Sequence, residues 1–347
     1  LSIQVANSTH MLHINNNTAA NEGGGLYLTN GSSPDVAGKV TISFNSANKS
    51  GGLFQEGGDG RFQSNRSGQP QISNNIAQTY SAGGVRLNHV DDSNPLLAGA
   101  YFSQVEISKN QAVGTFGNGG GVYVDGSNLH FDAVVFEGNR ATFSGGGLFV
   151  NLSTVQIATR SCQQSDLPTN SYCATFVGNQ VLAVGGGGGA IFVADSTVTA
   201  NHVAFMNNSA VAAGAAIMSW GNTTLTNVRI TDNVGPDIIA IYNGATTLNS
   251  GTVAGNDGTA VLNLTSFNLE NSIIWNNAAG IVGGGQLTHN GCNISQNGVG
   301  GSNIDPQFVT TAQGDYHLSN RSPARDACNS GTQLGPTIRA AGKMICM

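Results

Sequence analysis

The chain has 347 residues, a formal net charge of -6, 9% charged and 39% hydrophobic residues, and 49 glycines in a remainder rich in Asn, Ser and Thr. So small a charge content excludes disorder driven by self-repulsion, and 13 Lys plus Arg spread along the chain give no basic patch, so no nucleic acid is expected as a partner. No apolar run reaches the roughly 18 residues of a membrane helix, so no membrane span is expected.

The chain opens at Leu1 on strand-like sequence without a charged leader, from which a mature secreted protein or an excised piece is expected. A bulky apolar residue then recurs, followed three places on by Asn and usually two places later by a small residue. The copies are Ile14/Asn17/Ala19, Ile42/Asn45/Ala47, Ile72/Asn75/Ala77, Ile107/Asn110/Ala112, Phe136/Asn139/Ala141, Phe176/Asn179/Val181, Phe205/Asn208/Ala210, Ile230/Asn233/Gly235, Val253/Asn256/Gly258 and Ile274/Asn277/Ala279. Successive asparagines lie 28, 30, 35, 29, 40, 29, 25, 23 and 21 residues apart. Helical repeats keep a nearly fixed period of roughly 33 or 34 residues because their helices have set lengths. A minimum of 21 with irregular extensions suits coils of three short strands whose turns can lengthen. Glycine-rich steps into apolar strands agree, as in Gly23-Gly24-Gly25-Leu26-Tyr27-Leu28, Gly119-Gly120-Gly121-Val122-Tyr123-Val124, Gly145-Gly146-Gly147-Leu148-Phe149-Val150 and Ala190-Ile191-Phe192-Val193. The ten asparagines are read as scaffold rather than as glycan or metal ligands. Asn tolerates the left-handed backbone of a turn, and its amide both donates and accepts, so stacked copies form a ladder.

Two charged groups fall in the longer rungs. Glu56, Asp59, Arg61 and Arg66 stand beside Gly57-Gly58, and Gly57-Gly58-Asp59-Gly60 has the look of a single calcium-binding nonapeptide. One copy binds little, so calcium is a weak expectation and no other cofactor or metal is expected. Between Asn75 and Asn110 stand Arg86, His89, Asp91 and Asp92, with Glu106 further on; these are the candidate catalytic residues. A lyase needs a base beside a group that neutralises the substrate carboxylate, and a glycoside hydrolase needs two facing carboxylates. Neither group recurs at strand-face spacing in adjoining rungs, and loop charges are commonly just solvated, so the reading leans away from an enzyme. The other histidines are scattered, and no G-x-S-x-G elbow is present.

Cys162 and Cys173 flank a polar insertion in the longest rung and form the first disulfide candidate; Cys328 with Cys346 is the second, which leaves Cys292 as the odd cysteine. Either bridge implies an oxidising compartment. No zinc spacing is present.

The repeat ends near Asn277. Beyond it come Asp305-Pro306-Gln307-Phe308, Gly314-Asp315-Tyr316-His317-Leu318 and Ser322-Pro323-Ala324-Arg325-Asp326-Ala327. With the Asn and Gly repeats, these segments resemble bacterial secreted right-handed parallel β-helix proteins of the cell-surface type, which end in D-P-x-F, G-D-Y-x-L and S-P-A-x-D-A. More loosely, the repeats resemble the passengers of polymorphic outer-membrane adhesins of the autotransporter type. The resemblance implies a fold shared by adhesins, matrix proteins, lyases and hydrolases, so it carries no activity by itself.

The expected fold is all-β: a right-handed parallel β-helix, or solenoid, of about ten or more coils over residues 1–300, with 301–347 as a C-terminal cap. Ten coils at about 4.8 Å each make a rod of roughly 50 Å. Phe308, Tyr316, Leu318 and Pro323 suit the covering of an open solenoid end. The expected function is a secreted or cell-surface, non-catalytic role in adhesion, carbohydrate contact or matrix and filament building. Its partners would be an extracellular polysaccharide or cell-surface ligand, with end-to-end or lateral self-association as a further expectation. The alternative is a polysaccharide lyase or glycoside hydrolase of the same fold.

Overall fold

The computed structural model describes residues 2–4, 11–29, 35–58, 60–63, 69–90, 100–157, 174–310 and 315–325. The chain is all-β, built on two long parallel sheets in an arrangement compatible with a β-helix. Among the described residues the sole antiparallel pairing joins Phe308–Thr310 to Asp315–Leu318, and Pro323–Arg325 forms a 3-10 turn.

An eleven-stranded sheet begins with Leu12–Asn15 against Val40–Ser43 and runs to Ile273–Trp275 and Ile294–Ser295. Its register stacks the apolar residue of each repeat on the next: Ile42, Ile72, Ile107, Phe136, Phe176, Phe205, Ile230, Val253 and Ile274 are successive partners. All nine are buried. A slip by one residue would turn this column to solvent, so burial itself fixes the register. The second sheet carries three further ladders. Short strands such as Gln111–Ala112 and Arg140–Ala141 follow each Asn, longer ones such as Val122–Asp125 and Leu148–Asn151 follow each glycine step, and a third set includes Asn128–Asp132 and Thr154–Ile157. Phe62, Phe102 and Phe131 of that third set meet the first column inside a single core.

At each turn out of the eleven-stranded sheet the repeat asparagines bond from rung to rung. Asn45 Nδ2 donates to Asn75 Oδ1 at 3.0 Å, Asn75 Nδ2 to Asn110 Oδ1 at 2.9 Å, Asn110 Nδ2 to Asn139 Oδ1 at 3.0 Å and Asn139 Nδ2 to Asn179 Oδ1 at 3.0 Å. The series starts at Asn17 and continues through Asn208, Asn233 and Asn256 to Asn277. The left-handed residue of this turn is not the ladder Asn but the one before it, for instance Phe44 at φ 56°, Asn74 at 56° and Lys109 at 56°. The ladder Asn is thus free to point its amide inward, and the strained residue points out; Phe44 is 61% exposed. In the glycine step the first residue supplies a turn and the second a close approach. Gly119 has φ +67°, whereas a Cβ on Gly120 would stand 2.4 Å from the Gly146 carbonyl oxygen of the next rung.

The asparagine series ends on Gln296, whose Oε1 accepts the Asn277 N–H at 2.8 Å and whose Nε2 donates to the Asn277 carbonyl at 2.9 Å. After it, Phe308, Leu318 and Ala324 pack on Ile273, Ile294 and Trp275. Ile273 and Trp275 flank the core residue Ile274 on the opposite face of its strand, so this segment lies along the outer side of the last rungs. Tyr316 reaches furthest back: its hydroxyl donates to Asp232 Oδ1 at 3.2 Å, in the space left by Gly255, which has no Cβ. Asp326 lies outside the described residues.

Burial first, then the charge of Asp232 and the hydrogen bond to it, raise the Tyr316 hydroxyl from 10.0 to about 12, against an opposing pull from Arg229. A group with a raised folded pKa holds its full contribution below its unfolded pKa and loses it as the pH rises through the folded value. Stability is therefore expected to fall between pH 10 and about 12. Urea midpoints across that window should fall less steeply for Tyr316→Phe than for the parent; identical slopes would count against this contact.

Candidate functional site

The candidate catalytic residues do not form a described cluster. Arg86 sits on Val85–Asn88, and its guanidinium carbon lies 5.9 Å from the Phe54 ring centre and 5.1 Å from that of Tyr123. Its Nε donates to Asn88 Oδ1 at 3.1 Å and an Nη to Ser81 Oγ at 2.7 Å. The cation thus fills one step of an outward aromatic column: Tyr27, Phe54, Arg86, Tyr123, Phe149 and Phe192 are successive strand partners. Adjacent rings along it stack 4.9 to 5.1 Å apart. Burial and the nearby Asp125 push the Tyr123 hydroxyl up, and Arg86 pulls it back. Glu106 stands on the other sheet, where Gln71 donates to its Oε2 at 3.0 Å and Ser108 to its Oε1 at 2.7 Å. His89 is an exposed turn residue at φ 47°. Asp91 and Asp92 lie outside the described residues, as do Asp59 and Arg66 of the second group. Among the described residues no three His, Cys, Asp or Glu side chains converge in a way that could hold a metal ion.

Cys292 is disulfide-bonded, which corrects its reading as the odd cysteine. Cys162, Cys173, Cys328 and Cys346 all lie outside the described residues, and so do both candidate pairings.

A groove of about 380 Å³ opens on a different part of the molecule, where the same turn recurs in four consecutive rungs. Leu152 to Thr154 form one bank, Asp195 to Thr197 and Trp220 to Asn222 the floor, and Asn243 with Gly244 the other bank. The turns are held by a serine ladder that the repeat pattern did not reveal. Val90 N–H donates to Ser127 Oγ at 2.9 Å, Ser127 N–H to Ser153 Oγ at 3.0 Å and Ser153 N–H to Ser196 Oγ at 3.0 Å. At the following rung Gly221 replaces the serine, because a Cβ there would stand 2.3 Å from the Ser196 carbonyl oxygen.

Trp220 dominates this groove. The residue is 43% exposed, and its indole is stacked on Tyr242 at 5.2 Å with the planes 3° apart. The partner of Trp220 in the preceding rung is Ala194, which has only a methyl group to set against the other ring face. That face is bordered by the exposed Asp195 and Asn222, and Asn222 is oriented by accepting the Ala245 N–H at 3.1 Å. Asp195 is the single ionisable residue in the lining. A rigid aromatic plate rimmed by hydroxyls, amides and one carboxylate can hold the apolar face of a sugar ring while bonding its hydroxyls. Among the described residues its lining offers one carboxylate and no basic side chain, whereas hydrolysis uses two carboxylates and proton abstraction beside a carboxylate uses a basic partner.

The chain matches no family model, no curated protein and no solved structure.

Proposed function

We propose that this chain is a right-handed parallel β-helix of ten or more coils, with its C-terminal segment packed against the last rungs, and that it serves as a secreted, non-catalytic rod that contacts extracellular polysaccharide. The observation that carries this reading is the Trp220 groove: an indole braced by Tyr242, one carboxylate, and a rim of Ser, Thr and Asn. The resemblance of the repeats and of the C-terminal segment to secreted cell-surface β-helix proteins supports the same class. A lyase or hydrolase remains the competing assignment, to be decided by product formation.

The test is binding of soluble neutral oligosaccharides by calorimetry, alongside assays for new reducing ends and for the ultraviolet absorbance of unsaturated products. Binding without turnover is the expected result. An aromatic anchor at the centre of a site is commonly worth at least ~2 kcal/mol, so Trp220→Ala should weaken binding by roughly 30-fold. Turnover of any glycan, or binding indifferent to Trp220, would overturn the proposal.

A further inference from the structure

The groove opens onto a broad polar face. Thr154–Ile157, Ile191–Asn201, Ile217–Thr226, Ala245–Asn249, Ser266–Glu270 and Gln286–Asn290 pair in parallel, one rung after the next. Their inward residues, such as Val155, Val198, Leu225, Leu248 and Leu269, belong to the core. The residues between them stand outward in columns. The central column is Gln156, Thr199, Thr224, Thr247, Asn268 and Thr288, and each is the strand partner of the next without a break in register. Columns of Thr, Asn, Ser and Gln, with Ala245 among them, flank it, and within these six strands Glu270 is the only charged residue across the three. Asn249 Nδ2 donates to Glu270 Oε2 at 3.1 Å. Beyond Gln156 the central column continues through His130, Tyr101 and Arg61, so the uncharged face is confined to these rungs. Thr154, Thr197 and Asn222 of the first column are also groove residues, so the two surfaces are continuous.

Partners on adjacent strands are about 4.7–4.9 Å apart, and alternate residues on one strand about 6.6–6.8 Å, so the face is a two-dimensional net of hydroxyls and amides. β-Branched Thr has a restricted χ1, which fixes the hydroxyl before any ligand arrives. Each such contact exchanges a water hydrogen bond for another and gains little, less than a free polymer chain loses on being ordered. An array of weak, pre-positioned contacts therefore favours a ligand that is itself already ordered and repeats at a similar interval. Lack of charge disfavours nucleic acid and acidic polymers, and lack of apolar side chains disfavours a protein partner. A neutral polysaccharide repeats its hydroxyls once per sugar ring, a length comparable to one rung.

We infer that this face binds the surface of an ordered, insoluble neutral polysaccharide, with the Trp220 groove at its margin holding a single chain. The inference rests on the glycan reading of the groove and extends it from a soluble chain to a solid surface.

The experiment measures retention of the whole chain on microcrystalline cellulose and crystalline chitin, on the same polymers swollen to an amorphous form, and binding of their soluble hexasaccharides. Retention at least tenfold greater on one crystalline polymer than on its swollen form is expected. Thr224→Lys with Thr247→Lys should lower that retention at least tenfold and leave hexasaccharide binding unchanged, because these side chains stand on the face and not in the groove. Thr224→Ser with Thr247→Ser, which keeps the hydroxyls but frees χ1, should give retention between that of the Lys pair and that of the parent. If the Lys pair alters the melting temperature, Thr224→Val with Thr247→Val removes the hydroxyls at the same shape and serves in its place. Hexasaccharide binding that depends on Trp220, without preference for the crystalline form or without sensitivity to the face variants, would overturn the face proposal and leave the groove reading standing. Adsorption to growing ice crystals with none to either polymer would overturn it in favour of a different ordered lattice. Failure to bind any glycan, soluble or solid, would remove both.

Discussion

Replacing Asn139 with Ala is expected to lower the free energy of unfolding by about 3–5 kcal/mol, a large effect for a polar side chain in a turn. Asn139 is fully buried and takes part in four bonds through its side chain. Its Oδ1 accepts from the Asn110 N–H and from Asn110 Nδ2, both at 3.0 Å, and its Nδ2 donates to the Ile107 carbonyl at 2.8 Å and to Asn179 Oδ1 at 3.0 Å. Truncation to Ala removes an acceptor and a donor from the rung of Ile107 and Asn110, and a donor from the rung of Asn179, in a place where water does not enter. Each buried group left unsatisfied costs roughly 1–3 kcal/mol, and the series offers no substitute. Chemical denaturation of the parent and Asn139→Ala measures the difference; a loss under 1 kcal/mol would mean that the ladder is decorative.

Asn139→Asp separates geometry from hydrogen bonding. The carboxylate keeps both acceptor roles toward Asn110 but turns an unpaired anion on the Ile107 carbonyl and on Asn179 Oδ1. Burial against two acceptors raises the folded carboxyl pKa above the unfolded value of about 3.9. The folded state then holds its proton more tightly, so the variant is most stable at low pH and weakens as the pH rises through the range above 4. A variant equally stable at pH 4 and pH 7 would contradict that placement.

The scaffold was legible in the sequence because stacked rungs repeat the same environment. The apolar residue before each Asn enters one core column, and the Asn amide meets its own kind above and below. Three other features were harder to read for physical reasons. The left-handed turn position tolerates Phe44, Asn74 and Lys109 alike, since only backbone strain is shared there and no side chain is specified. Arg86 was read as an acid–base candidate because a charge near His89 and Asp91 draws attention in a linear reading. Its place two residues after the last glycine of a step, shared with Tyr27, Phe54, Tyr123 and Phe149, makes it part of an aromatic column, which a linear reading does not show. The Trp220 groove is assembled from turns at Ser153, Ser196, Gly221 and Gly244, 43, 25 and 23 residues apart in sequence, brought together only by the stacking. A Trp and a Tyr one rung apart, Trp220 and Tyr242, were the available signal.

Phe176→Ala is expected to have the largest effect on the core, about 4–5 kcal/mol of stability. Phe176 is fully buried between Phe136, at 4.3 Å with rings 5° apart, and Phe205, at 5.1 Å with rings 17° apart. Removing a buried Phe costs about 3–5 kcal/mol through lost transfer energy and the cavity left behind, and the loss of two stacked ring contacts puts this site at the upper end of that range. The cavity cannot close easily, because rung spacing is set by backbone pairing on every side: Phe176 is held in register with Phe136 and Phe205 by strands that also carry Asn179 and its ladder bonds. Phe176→Leu keeps part of the volume but gives up both ring stacks, and should cost less than the Ala variant, about 1.5–3 kcal/mol. The effect should also reach the groove, since each rung leans only on its neighbours and the coil that begins at Phe176 goes on to present Asp195 and Thr197. Under conditions where Phe176→Ala is still folded, its affinity for a soluble oligosaccharide should therefore fall together with Trp220→Ala, whereas Phe176→Leu keeps it. A Phe176→Ala chain that loses stability yet binds at full strength would show that the groove does not depend on the column beneath it.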